Sequence, residues 1–241
     1  MKNNTWISKI NGNGSRLMNL TKNKKKQIEG IDFKKLYNVS EAVKIIKEKK
    51  FVKFDESLEV SINTGIDSKQ SDQNVRGSFI PPHGLGKKVQ IAVFAQGKAA
   101  EEAKAAGAKH VGGDDLISSL EKKIDVDVIV ATPDMMSVVS KIAKILGPKG
   151  LMPNPKTGTV TNDIKSTIEN IYKGLVAYKN DKAGTIHAAL GKVSFDESKL
   201  TENVTSFIDE IKKIKPSGLK GNFVNSVYLS SSMGFGLRVE V

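Results

Sequence analysis

Residue types able to carry redox, metal or nucleophilic chemistry are scarce in this chain. It has no cysteine, which excludes disulfides, zinc ribbons, iron–sulfur clusters and thiol nucleophiles. Its three histidines, His83, His110 and His187, stand far apart and in no metal-ligand spacing. Phosphate cradles are missing too. A dinucleotide fold wants G-x-G-x-x-G between its first strand and helix, so that backbone amides can approach a pyrophosphate. The matching turn is Ala95-Gln96-Gly97-Lys98, with one glycine, and His83-Gly84-Leu85-Gly86-Lys87-Lys88 precedes the strand instead. Gly191-Lys192 is followed by Val193 rather than Ser or Thr, so there is no P-loop, and no G-x-S-x-G elbow occurs. Gly112-Gly113-Asp114-Asp115 reads as a turn leading into a helix cap, and Met135 and Met136 as core or interface. His187 lies in an alternating strand, where a structural histidine is the usual reading. An enzyme would lack a nucleophile, a base and a cofactor cradle. No catalytic residue, metal or cofactor is expected.

Lysine, by contrast, is abundant. Lys and Arg total 38 against 26 for Asp and Glu, a net charge of +12 and a pI near 9.6. Such an excess suits a polyanion binder, because each phosphate it neutralises releases a condensed counterion. Only Arg16, Arg76 and Arg238 are arginine. Lysine is a point charge without arginine's bidentate fork, so this composition fits steering along a backbone better than base reading. Solubility alone would also explain lysine, and composition favours nucleic acid without deciding it. Residues 1–50 carry 13 basic and 4 acidic side chains. Lys22, Lys24, Lys25 and Lys26 there form either an arm on phosphates or a solvated loop.

Those side chains must be positioned by a fold that 241 residues, 39% of them hydrophobic, can build around one or two cores. No run approaches the roughly 18 apolar residues of a membrane span, so no membrane partner is expected. A helix is predicted from Ser40, which can cap it, with Val43, Ile46 and Phe51 near helical spacing. Leu58, Val60 and Ile62 alternate with Glu59, Ser61 and Asn63 as in a half-buried strand, and Val75 to Ile80 reads as another, stopped by Pro81-Pro82. After Gly84 apolar strands at Val89–Phe94 and Val126–Ala131 alternate with an alanine-rich helix, a helix from Asp114 to Lys123 and one opened by Pro133. That alternation implies βαβ units and a parallel sheet covered on both faces. Leu175–Tyr178 and Thr185–Leu190 flank Asn180-Asp181-Lys182-Ala183-Gly184 like the arms of a hairpin. An amphipathic helix follows, with Leu200, Val204, Phe207, Ile208, Ile211 and Ile214 on one face, and then late strands at Val224–Leu229 and Leu237–Val241.

Neither terminal portion can close its own core. The economical architecture is α/β with two domains: a discontinuous α+β domain, residues 1–83 plus 174–241, and an inserted Rossmann-like βαβ domain, residues 84–173. Two chain crossings at one place would make a hinge. Residues 1–21 read as an extension. The inserted segment carries 13 basic and 10 acidic side chains, so most of the net charge falls on the discontinuous remainder. Two unusual segments remain. Ser71-Asp72-Gln73-Asn74-Val75-Arg76-Gly77 is a polar turn-like run, and Leu146 to Gly158 packs three prolines and three glycines into 13 residues. The second is either a ligand-contacting loop or a rigid connection.

SDQNVRG followed by PPHGLGK, then ATPDMM, ILGPKGLMPNPKTGTV, NDKAGTIHAALGKVSF and SVYLSSSMGFGLRV, run in order from about Lys22 to the C-terminus. In these the chain resembles the L-one family of large-subunit ribosomal proteins. The resemblance implies two hinged domains, the first built from both chain ends. It implies binding of 23S-type ribosomal RNA at the mobile stalk beside the exit site, help in releasing deacylated tRNA there, and repression of the protein's own mRNA. It also implies a monomer within the ribosome, in a bacterial cytoplasm or an organellar matrix. The family's RNA-binding segment Lys-Phe-acid-Glu-Ser/Thr is matched by Lys53, Phe54, Asp55, Glu56 and Ser57, and its Thr/Ser-Met-Gly turn by Ser232, Met233 and Gly234. His187 and Lys192 are secondary candidates by proximity in the family fold. Serine stands at 57 and 232, where the family often has threonine, so a hydroxyl is kept and a methyl lost.

The chemistry suits these positions. Phe54 can stack on a base or ribose, Ser57 and Ser232 can bond 2′-hydroxyls, and Gly234 lets a backbone come close. Apart from the resemblance, Phe54 reads as core, Met233 as strand-end packing and Gly234 as a residue needed for positive φ. A free RNA-binding regulator or chaperone is the alternative within the same chemistry, and a nucleotide-dependent α/β enzyme is the distant one.

Overall fold

The structure is a computed structural model that describes residues 27–113, 115–117, 126–216, 218–219 and 221–240. In chain order the elements are α1 (Val39–Glu48), β1 (Ser57–Thr64), β2 (Arg76–Phe79), β3 (Ile91–Phe94), α2 (Lys98–Ala105), β4 (His110–Gly112) and β5 (Val128–Ala131). They continue with α3 (Met136–Lys141), α4 (Ala143–Leu146), α5 (Ile164–Tyr172), β6 (Val176–Lys179), β7 (Thr185–Lys192), α6 (Glu197–Lys213), β8 (Val224–Ser231) and β9 (Gly236–Val239). Mixed α/β is therefore the class. Two compact units divide the chain, a first from both ends as far as Asn74 and from Asn180, and a second from Val75 to Lys179.

The first unit is an antiparallel sheet in the order β7-β1-β8-β9. Alternation does what period two demands: Leu58, Val60 and Ile62 of β1, Ile186 and Leu190 of β7, and Val227 and Leu229 of β8 are buried. Helices α1 and α6 bring Val43, Ile46, Leu200, Val204, Phe207 and Ile211 into the same core. The buried Asn203 of α6 donates to the Leu190 carbonyl at 2.8 Å. Gly191 admits α6 closely, since a Cβ there would stand 2.9 Å from Leu200 Cδ2. Across the sheet, Glu59, His187, Tyr228 and Arg238 occupy exposed phases of their strands.

The second unit holds a parallel sheet in the order β4-β3-β5. One of its two clusters holds Phe94, Ile129, Met135, Val139 and Leu146, and the other Ile91, Val93, Val130, Ile164 and Ile168. All four residues of β3 are buried, the signature of a central parallel strand. Lys87 Nζ donates to Asp127 Oδ1 at 2.6 Å and the Gln90 amide to Oδ2 at 3.0 Å. The Lys87 hydrogen bond, then that of the Gln90 amide, holds the Asp127 carboxyl below its ordinary value. A carboxyl lowered in the folded state stabilises it above the unfolded value of about 3.9. That contribution is lost as pH falls through the lower folded value. Asp127→Asn is expected to cost about 0.2–1 kcal/mol at neutral pH, less in high salt. Melts of the variant and the parent should converge in strong acid.

Several expectations need correction. Ser40 does not cap α1, because the helix starts at Val39 with Asn38 at the cap position. The start is set by Tyr37, whose backbone bridges Val239, its amide donating to the Arg238 carbonyl and its carbonyl accepting from the Glu240 amide, both at 3.0 Å. Phe51 lies beyond the helix end and is exposed. The Pro133 helix is three pieces, a 3-10 turn Pro133–Met135 followed by α3 and α4, with a break at Ile142 that leaves Val139, Ile142 and Leu146 all buried. The hairpin does not form. A tight turn is present, where Asp181 Oδ1 accepts from the Ala183 and Thr185 amides at 2.8 Å. Its arms join different sheets, however: β6 pairs with β2 and β7 with β1, leaving one bridge, Asn180 to Ile186. The chain leaves the second unit at this turn. The strands assigned by pattern to the terminal layer, β2 and β6, thus lie in the second unit. Residues 1–21, the lysine run at 22–26 and most of the helix drawn over 114–123 lie outside the described residues, although 115–117 are helical.

Candidate nucleic-acid interface

Antiparallel order brings the start of β1, the end of β7 and the end of β8 to one end of the first sheet, an edge that runs across the strands. Ser57 is register partner to Lys192, and Leu58 to Ser231. A bulge between Leu58 and Glu59 irregularly spaces β7 just there. The segment before β1 and the turn after β8 are consequently adjacent, though 175 residues apart in sequence.

Hydrogen bonds weld them. The Ser232 amide donates to the Ser57 carbonyl at 3.2 Å, and the Ser57 amide donates to Ser232 Oγ at 3.2 Å. Lys192 Nζ donates to Ser57 Oγ at 3.1 Å and to the Asp55 carbonyl at 3.3 Å. Asp55 is itself engaged, with Oδ1 accepting from the Ser194 amide at 3.2 Å and Oδ2 from Ser194 Oγ at 2.8 Å. Behind the turn lies Glu56, fully buried at 0% exposure. Its Oε1 accepts from the Met233 amide at 2.9 Å and from Ser231 Oγ at 3.2 Å. Its Oε2 has no partner among the described residues. Phe235, nearly buried, packs edge-on to Phe33 with ring centroids 6.2 Å apart and fixes the turn from below.

What this edge presents outward is different in kind. Phe54 is 53% exposed and Met233 45%, flanking the hydroxyls of Ser57 and Ser232, with Lys53 exposed alongside. Reading Phe54 as core and Met233 as packing is therefore overturned. Hydrophobic spacing is informative only within an element, and both residues lie outside one. An aromatic face and a thioether held in water over hydroxyl and cationic groups can stack on bases and bond riboses.

Three residues depart from their expected positions. Glu56 is sealed from solvent and holds the turn in place rather than offering its carboxylate to a ligand. Gly234 has no left-handed backbone to accommodate, since its φ is not among the positive ones. Its need for glycine is steric, because a Cβ would overlap Ser231 Oγ. His187 is not part of the edge cluster. It faces the open side of the sheet beside Ser61, whose Oγ lies 3.0 Å from His187 Nδ1, four residues along β1 from Ser57 and so about 13 Å away. There His187, Ser61, Tyr228 and Arg238 form a row across four strands. Asp181 Oδ2 lies 3.9 Å from His187 Nε2. The Thr185 amide, with that of Ala183 and the nearby imidazole, holds the Asp181 carboxyl below its ordinary range.

Sequence reasoning missed Ser231, Ser194, Tyr228 and Arg238. Tyr228 carried a usable signal, since the phase that buries Val227 and Leu229 turns it outward. Ser231 and Ser194 carried none, because their partners are distant in sequence. Among the described residues no cluster of His, Asp or Glu could hold a metal ion, and no helix is long and apolar enough to cross a membrane.

Residues 45–235 match the model of the Ribosomal protein L1p/L10e family. The chain is 50% identical over 222 residues to the large ribosomal subunit protein uL1 of Coxiella burnetii (strain RSA 493 / Nine Mile phase I), covering 92% of this chain and 96% of that one. It is 49% identical over 212 residues to the large ribosomal subunit protein uL1 of Thermosipho africanus (strain TCF52B), covering 87% of this chain and 91% of the other.

Proposed function

Because the chain belongs to the Ribosomal protein L1p/L10e family, we propose that it binds 23S-type ribosomal RNA at the mobile stalk through the edge formed by residues 53–57, Lys192 and the turn 232–234. It is a structural constituent of the large ribosomal subunit and not an enzyme, and its place is the ribosome, in the cytoplasm. The observation that carries the binding surface is the pairing of exposed Phe54 and Met233 with a hydrogen-bonded floor that is already fixed without RNA. Little side-chain freedom is left to lose there, which favours affinity.

The roles divide by chemistry. Phe54 stacks on a base or ribose, and Ser57, whose Oγ already accepts from Lys192, keeps its proton for a 2′-hydroxyl or phosphate oxygen. Lys53 and Lys192 neutralise phosphates. Glu56 and Gly234 act on RNA through the turn they shape. From this edge the open sheet face continues with His187, Tyr228 and Arg238, which extend the same surface. We read the second unit as an inserted, Rossmann-like domain that contributes less to this affinity. A protein seated on the stalk as a monomer would face deacylated tRNA at the exit site and assist its release. The same edge would bind a similar structure in the protein's own mRNA and repress translation, so messenger and ribosomal RNA should compete.

Phe54→Ala is expected to weaken binding of a stalk RNA fragment by about 1–3 kcal/mol, the range for losing one stacked base. Its melting temperature should be unchanged, because the ring is exposed. Lys53→Gln should flatten the dependence of log affinity on log salt without altering sequence preference. A Phe54→Ala protein with parental affinity would remove the ring from the interface.

A further inference from the structure

The second unit contains a cavity of about 500 Å³ between the β2–β6 ribbon, the start of β5 and the proline-rich loop after α4. That volume is within the range of small-ligand sites, roughly 300–1,000 Å³. Leu151, Met152, Pro153 and Leu175 supply apolar wall. Arg76 and Lys179 stand at its ribbon side. These two are direct register partners in an antiparallel pair, so their side chains share one face. Like charges placed opposite one another destabilise a ribbon, and neither cation has an acidic partner among the described residues. The carboxylate in the wall, Asp127, is spent on Lys87 and the Gln90 amide.

The loop is built rather than loose. Asn154 Oδ1 caps the Lys156 amide at 2.9 Å, the Asn154 amide donates to Thr159 Oγ1 at 2.8 Å, and Thr157 Oγ1 donates to the Asn154 carbonyl at 3.0 Å. The Ala131 amide donates to the Thr159 carbonyl at 3.0 Å and ties this loop to β5. On the opposite face of the ribbon Gly77 admits the buried Tyr178 ring and so fixes the pair of strands, since a Cβ there would stand 2.6 Å from the phenol oxygen. An unneutralised cation pair beside a preformed, largely apolar cavity wants an anion carrying a flat apolar body.

The geometry points to this cavity as a site for a single phosphorylated nucleoside unit, its phosphate between Arg76 and Lys179 and its base against Leu151, Met152 and Pro153. This rests on the RNA-binding reading above and adds a second, separate contact to it. Arginine holds a phosphate in bidentate fashion and lysine as a point charge, so the two are complementary rather than redundant. The unit is either a nucleotide splayed from an RNA strand or a free mononucleotide, and the chemistry recognised is the same.

The test is an NMR titration of the full-length protein with AMP, adenosine, inorganic phosphate and the single-stranded trinucleotide ApApA. AMP is expected to shift the amides of residues 147–159 and of both ribbon strands. Adenosine and inorganic phosphate should each bind at least tenfold more weakly than AMP, because each lacks one half of the recognised group. Arg76→Gln with Lys179→Gln should weaken AMP at least tenfold. Ala177→Phe, which fills the cavity from an exposed strand position, should abolish the shifts while the protein melts as the parent does. ApApA binding at least as tightly as AMP assigns the unit to an RNA strand, and exclusion of ApApA assigns it to a free nucleotide. Shifts scattered over surface lysines, AMP binding untouched by either variant, or phosphate binding as well as AMP would each overturn the site. Failure of the stalk-RNA reading is seen elsewhere, in Phe54→Ala, which alters no residue of this cavity.

Discussion

A Gly234→Val protein is expected to bind stalk RNA more than tenfold more weakly than the parent, a loss beyond about 1.4 kcal/mol, and to melt lower. Two effects add. Any Cβ at 234 overlaps Ser231 Oγ, so the serine must rotate away from Glu56 and leave a buried carboxylate oxygen short of a donor. An unmet buried hydrogen bond costs about 1–3 kcal/mol. Valine's two further methyls also crowd the turn itself and displace Ser232 and Met233 from the positions they present to RNA. Gly234→Ala keeps the first effect and nearly removes the second, and adding Ser231→Ala to it should cost little more stability, since either change takes the Ser231 hydroxyl from Glu56. Ser232→Ala is milder, losing one exposed hydrogen bond worth about 0.5–1.5 kcal/mol. Melts must accompany the binding curves. A Gly234→Val protein that melts lower yet binds RNA normally would make this glycine purely a packing residue.

Glu56→Ala should also rank among the costly changes, by about 1–3 kcal/mol of stability. It strips the acceptor from both the Met233 amide and the Ser231 hydroxyl. RNA affinity should fall with it, since the turn that carries Ser232 and Met233 loses its anchor. Glu56→Gln separates the two ways a carboxylate could matter. The amide oxygen can accept both bonds as Oε1 does, and the amide nitrogen would replace Oε2, which is unpartnered among the described residues. The glutamine variant is therefore expected to bind RNA nearly as well as the parent. A glutamine variant as weak as the alanine one would mean that the charge itself is read by the RNA.

These two residues mark where sequence reading stops. Leu58, Val60 and Ile62 declare a strand and its buried face by themselves, and α6 declares its apolar stripe over four turns. The apolar run Ile91–Phe94 declares a central parallel strand in the same way. Glu56 declares nothing. A carboxylate beside Lys53 and Asp55 reads as surface, and its burial depends on donors 175 and 177 residues away. The reason for glycine at 234 depends likewise on where one serine hydroxyl points. The turn at 180–184 was legible locally, but a turn does not specify which strands its arms will join. Phe54 and Met233 entered the interface through resemblance alone, because residues between elements carry no periodicity.

The central claim is that the first unit holds the surface that binds large-subunit RNA, and one measurement addresses it directly. Asn180 Nδ2 donates to Asn74 Oδ1 at 3.2 Å, so the chain ends left by removing residues 75–179 lie side by side and a short glycine linker can rejoin them. Affinity for a stalk RNA fragment is then measured across a salt series for the full chain, the religated first unit and the isolated second unit. The religated unit is expected to keep most of the affinity, with log affinity falling linearly in log salt as several phosphates are neutralised, and the second unit to bind far more weakly. If the isolated second unit bound the fragment as tightly as the full chain, or if affinity were flat from low to physiological salt, the assignment of the interface to the edge of the first sheet would be wrong.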